Sequence, residues 1–248
     1  MISYLPLATV TLFFVIVTAL LVMALSFILD HIWAKSLRQP WLYIFLSAPG
    51  IVVHECAHII GCLVSGAKIK KVVLLSKDGG KVSYVPPAIP VLGNVIINSA
   101  PLFIIPLLLV GMTWFFGTYA GCTFPSLVLI QYNPASMFSL VTTIGQTLYY
   151  NFITHFNGWF IFYLYLVTSL ALSISPSTQD LKNSIVGIIF LILVGEGIIL
   201  VNFPAVTYVI LVLLNLVGTG LMMGLMFELI ALFVSLPVIF TYWCSTIH

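Results

Sequence analysis

The sequence predicts an all-α polytopic membrane protein, a single domain over residues 1–248. It has about six transmembrane helices and a small cytoplasmic β-hairpin at about residues 67–87. Three observations carry this reading. Of the 248 residues, 62% are hydrophobic and 6% charged, whereas a soluble domain carries roughly a quarter charged residues. Several apolar runs exceed the ~18–20 residues needed to cross a hydrocarbon core. Between two of those runs lies a short segment with most of the lysines. A net charge of +2 is too small to point to nucleic acid. Cys56, Cys62, Cys122 and Cys244 show neither CxxC nor zinc-knuckle spacing, so they read as ordinary buried cysteines.

The first apolar run, Pro6 to about Leu29, lacks a basic start and an A-x-A-like cleavage site, so it reads as a retained helix. The link "DHIWAKSLRQP" follows, with Trp33 and Trp41 suited to a membrane interface. The second helix runs from about Tyr43 to Ser65, and Gly66 is its stop. The segment "AKIKKVVLLSKDGGKVSYVPP" has two β-prone runs around Asp78-Gly79-Gly80 and reads as a water-facing hairpin. A third helix lies within Ile89 to about Tyr119, interrupted or kinked near Pro101. Residues 120 to 154 are apolar but broken by Pro125 and Asn133-Pro134, so the count stays between six and seven. The fourth and fifth helices cover about Phe156–Ile174 and Leu181–Val201. The last stretch, Ala205 to Trp243, reads as one helix with an interfacial tail or two broken near Gly218-Thr219-Gly220.

Lys68, Lys70, Lys71, Lys77 and Lys81 lie in the hairpin, against Lys35 and Arg38 in the first link. The positive-inside rule puts the hairpin in the cytoplasm. If residues 120 to 154 do not span, Asp180 and Lys182 fall on the same side.

The second helix contains "HECAH", an H-E-x-x-H pattern at His54, Glu55 and His58. Residues i and i+4 share a helix face one turn apart, so both imidazoles reach a single ion. Zn²⁺ suits imidazole and takes three protein ligands and a water at catalytic sites. Glu55, beside that line, is placed to act as general base. The bland alternative is three polar groups bonded within a packed core. Their expense inside so apolar a helix argues for a function. Gly50, Ala57, Gly61 and Ser65 lie on or next to the histidine stripe and allow close approach of another backbone.

A third metal ligand is needed. Asp180 follows "SPSTQ" and must lie on a segment that dips into the protein to reach the histidines. Its rival role is the cap of the fifth helix. Glu196 in "VGEGI" is the competing ligand, and Glu228 ranks third. For both glutamates a protonated carboxyl bonded to a neighbouring helix is the favoured reading. His155, beside Asn157, reads as an interface residue, and His31 and His248 look incidental.

The H-E-x-x-H helix, Gly66, "KIKKVVLLSKDGG" and the apolar helix after it resemble the core of the site-2 proteases, intramembrane zinc metalloproteases. The resemblance covers about residues 43–110 well and 165–200 loosely. It implies that His54 and His58 are zinc ligands, that Glu55 is the catalytic base and that Asp180 stands for the family's aspartate. Where the family commonly has glycine after that aspartate, Leu181 stands here. "GNVIINSAP" resembles the family's small-residue and asparagine helix, which gives Asn94 and Asn98 a role in substrate binding or in helix packing. The implied partners are a transmembrane protein substrate and the lipid bilayer, with the site in a multi-pass protein of the cell membrane and open toward the cytoplasm. The rival expectation is a non-catalytic membrane protein: a metal transporter or a pseudoprotease that binds helices. No second cluster of metal ligands marks a transport path, and Glu55 is retained.

Overall fold

The computed structural model describes residues 5–37, 40–76, 79–122, 134–201 and 204–246. Its elements are α1 (Leu5–Ser36), α2 (Pro40–Ser65), β1 (Lys68–Val73), β2 (Lys81–Val85), α3 (Pro90–Tyr119), α4 (Pro134–Thr154), α5 (Gly158–Ala171), α6 (Thr178–Val201) and α7 (Pro204–Thr246). Among the described residues, four helical stretches are long and apolar enough to cross a membrane: Thr9–Ser36, Trp41–Ser65, Pro90–Tyr119 and Ala205–Cys244. Of the six spans expected, these four are the ones whose length and composition suffice; α5 has 14 residues, and the apolar part of α6 is also shorter.

The helices end where the sequence supplies a stop. Gly66, at φ 72°, closes α2. Its N–H bonds to the Leu63 carbonyl and that of Ala67 to the Cys62 carbonyl, the paired bonds of a Schellman cap. Asn157 caps α5 by accepting from the Phe160 N–H. The kink expected at Pro101 is not a break: α3 runs through Pro101 and Pro106. Nor is α7 divided at Gly218-Thr219-Gly220. Thr219 donates its hydroxyl to the Asn215 carbonyl, and Gly220 and Gly224 face Phe103 and Pro106 of α3. Gly220 and Gly224 serve packing, not interruption.

The contacts fix the directions. α1 and α7 run parallel, with Leu12 beside Leu211, Thr18 beside Met222 and Trp33 bonded to Ser235. α2 and α5 also run parallel, since Phe45 meets Tyr165, Gly50 meets Ser169 and His54 meets Ser173. α7 begins two residues after α6 ends, beside the start of α1. So α6 continues in the direction of α5 instead of turning back. The two form one broken helix, interrupted in the interior at residues 172–177. α3 ends and α5 begins at the same end of the molecule, with Phe116 beside Trp159 and Tyr163.

Backbone groups freed at such a break must find partners where water is excluded. Ser26 of α1 supplies two of them. Its hydroxyl donates to the Ala171 carbonyl at 2.8 Å and accepts from the Ser175 N–H at 3.0 Å.

The hairpin differs from its water-facing expectation. β1 and β2 pair antiparallel, with an irregularity between Ile69 and Lys71. Ile69, Val82 and Tyr84 pack on Cys62, Ala67 and Ile97, so one face lies against α2 and α3. Lys68, Lys70, Lys71 and Lys81 are exposed. Asp78 and Lys77 lie outside the described residues.

Candidate metal centre

Glycine sets the site's position before any ligand is considered. A Cβ on Gly50 would overlap the Ser169 carbonyl of α5, and one on Gly61 would lie 2.8 Å from the Ile97 Cα of α3. Ala57, on the same face, is fully buried. α2 therefore touches backbone on both of these neighbours, as its small residues predict. Each contact delivers a carbonyl to a histidine. His54 Nδ1 lies 2.6 Å from the Ser173 carbonyl oxygen, and His58 Nδ1 lies 2.9 Å from that of Ile97.

A carbonyl only accepts, so both Nδ1 atoms carry the proton in the neutral rings. Both Nε2 atoms then present lone pairs. These two atoms face each other at 3.1 Å. The Asp180 Oδ2 lies 3.5 Å from His58 Nε2 and 4.0 Å from His54 Nε2. The three ligand atoms all lie within 4.8 Å of one another. Three acceptors converging in a largely buried place repel one another unless a cation joins them. Two imidazole nitrogens and a carboxylate oxygen form a donor set that suits zinc and related divalent ions. The second-shell bonds to Ser173 and Ile97 hold the rings as metal-ligand histidines are usually held.

Asp180 has both roles that the sequence left open. Ser177 is the cap of α6: its hydroxyl accepts from the Asp180 N–H at 3.2 Å. The Asp180 carboxylate reaches back and accepts from the Ser177 N–H at 3.0 Å and its hydroxyl at 2.6 Å. This is a capping box with aspartate in the third position. The same Oδ2 faces the histidines, so the helix cap orients the candidate ligand. Glu196 is sixteen residues further along α6, about 24 Å at helical rise, and does not join the group. Glu228 is fully buried on α7, where its polar neighbour is Ser26 of α1, the kind of partner on an adjacent helix that the sequence reading favours.

Glu55 is buried, 7% exposed, and its Oε2 has no hydrogen-bond partner. The hairpin turn closes over it: a Cβ on Gly80 would overlap the Glu55 side chain. Gly79 stands at φ 92°, a left-handed conformation that favours glycine. The double glycine thus lets the turn approach the carboxylate. Sequence reasoning placed this turn in water and missed the contact, although the adjacent glycines were its signal.

Tyr84 of β2 lies 3.4 Å from the side-chain oxygens of both Asn94 and Asn98. Burial pushes its phenol above the usual range, so it remains a donor. The Asn98 Nδ2 is buried without a partner, one residue beyond the carbonyl that holds His58.

A cavity of about 920 Å³ opens from His54 and Glu55. It runs between α1 and α2, with Gly79 and Gly80 at the site end and Asp30 and Tyr43 also in its lining. Comparison of the chain with protein-family models, with curated proteins and with solved structures finds no match.

Proposed function

We propose that this protein is an intramembrane zinc metalloprotease of the site-2 type that hydrolyses peptide bonds of membrane-spanning substrates. The observation that carries the reading is the convergence of two Nε2 lone pairs and a carboxylate oxygen next to a buried glutamate whose Oε2 is left without a partner. His54, His58 and Asp180 would hold the ion. Zinc, when bound, polarises a carbonyl and lowers the pKa of a bound water.

The chain's own residues do the rest. Glu55 takes the proton of the attacking water and passes it to the leaving amine. Gly80 packs against its side chain and holds it beside the candidate ligands. A substrate helix must unwind locally, since its amides are occupied by internal bonds. The cavity beside α2 supports this, because it offers room for an extended segment. The free Asn98 amide supports a role in binding substrate carbonyl groups. The lysines on the exposed hairpin face point to the cytoplasmic side of a cell membrane and suit an anionic lipid surface. The protein is then multi-pass, with its site reached from that side.

The test is metal content of purified protein, wild type against Glu55→Gln, together with cleavage of a generic transmembrane substrate. One zinc in both, with cleavage reduced roughly 10²–10⁴-fold in the variant, is the expected result. Zinc bound without cleavage of any membrane substrate would favour the pseudoprotease or transporter alternative. Absence of bound metal from wild type sinks the reading.

A further inference from the structure

The cavity has two polar ends, and the protease reading uses one. At the far end Asp30 of α1 accepts a hydrogen bond from the Tyr43 hydroxyl through Oδ1. No bond from a described residue occupies Oδ2, and the ion pairs among the described residues do not include Asp30. Between the ends the lining is apolar, with Met23, Phe27, Ile44 and Ile51. An ionisable group at the end of an apolar-lined cavity is a candidate for fixing a ligand group of opposite charge.

The span can be measured along α2. Tyr43 and His54 are eleven residues apart, about 16 Å at helical rise. An extended chain covers that distance in about five residues. We infer that Asp30, oriented by Tyr43, forms a subsite for a basic side chain carried about five residues from the scissile bond. The charge is complementary, and Oδ2 is the open acceptor for an ammonium or guanidinium group. The bond from Tyr43 fixes the carboxylate so that little further ordering is needed when the cation arrives. The inference rests on the protease reading, because the histidine end defines where the bound chain begins.

The test uses two linear probes. Each carries a hydroxamate, which ligates zinc, on a straight alkyl chain of about the same span. One ends in an ammonium, the other in a methyl. Affinity of each is measured by calorimetry on the full-length zinc-loaded protein and on Asp30→Asn, and the readout is the ratio of the two affinities. This ratio cancels partition into detergent when the two proteins are compared. A ratio at least about tenfold higher in wild type than in Asp30→Asn is expected. Tyr43→Phe is expected to lower the ratio by a smaller factor. Equal ratios in wild type and Asp30→Asn, with both probes bound, overturn the subsite and leave the metal reading standing. No zinc-dependent binding of either probe overturns the metal reading, and the subsite falls with it.

Discussion

On the flank of α2 that faces α3 and α5, glycines bring backbones into contact and each contact aims a carbonyl at a histidine. On the flank that faces α1, a cavity of about 920 Å³ separates the helices, and a tyrosine–aspartate pair bridges them near one end. One helix thus carries a rigid side and an open side. The ligand geometry depends on the first, and access depends on the second. The difference teaches that small residues beside a metal motif do not all serve the substrate. Gly50 and Gly61 set the backbone contacts that place the carbonyls against His54 and His58.

The comparison breaks most severely at Gly50. Gly50→Val forces α2 away from the Ser169 carbonyl and shifts His54 from Ser173. A loss of about 1–3 kcal/mol in stability, with zinc retention falling in parallel, is expected from thermal unfolding and metal analysis in detergent. Ser26→Ala comes next. It leaves the Ala171 carbonyl and the Ser175 N–H without their shared partner. The expected penalty is about 1–3 kcal/mol, read as weaker zinc binding in chelator competition, with Ser26→Thr restoring part of it. A smaller, more selective effect belongs to Gly80→Ala. Its methyl displaces Glu55 and no metal ligand, so cleavage drops about tenfold, roughly 1.4 kcal/mol, while zinc content stays at wild-type level. The open flank supplies the contrast. Leu20 lines the cavity and is 56% exposed, so Leu20→Ala changes stability by less than about 0.5 kcal/mol. A large loss there would show that the cavity wall is structural after all.

The metal motif was legible because its geometry is local. His54 and His58 need nothing beyond helical spacing to share a face. Asp180 was legible by a different route, since few carboxylates exist in the chain and a third ligand was required. Its second duty, as part of the α6 cap, was visible in "SPSTQD", though not that one oxygen serves both. The broken helix was not legible. Hydropathy counts apolar length, and residues 172–177 look like a loop between two spans. What keeps them inside is the Ser26 hydroxyl, 149 positions away from Ser175. The hairpin misled for a related reason. Its lysines alternate with apolar residues, and only the cluster of Cys62, Ala67 and Ile97 decides that the apolar face turns inward. Tertiary partners, not local pattern, made both decisions.

The ligand spacing has a consequence for how the molecule is made. His54 and His58 leave the ribosome long before Asp180, with 122 positions separating His58 from the aspartate. At ~5–20 residues per second that interval lasts roughly 6–25 s. During it the growing chain holds two imidazoles and a base beside freshly inserted neighbours, but lacks the carboxylate that completes the group. On the proposed protease reading, a nascent copy does not yet cleave the segments around it. On that reading the order of synthesis acts as a safety catch, released when the second half of the broken helix emerges.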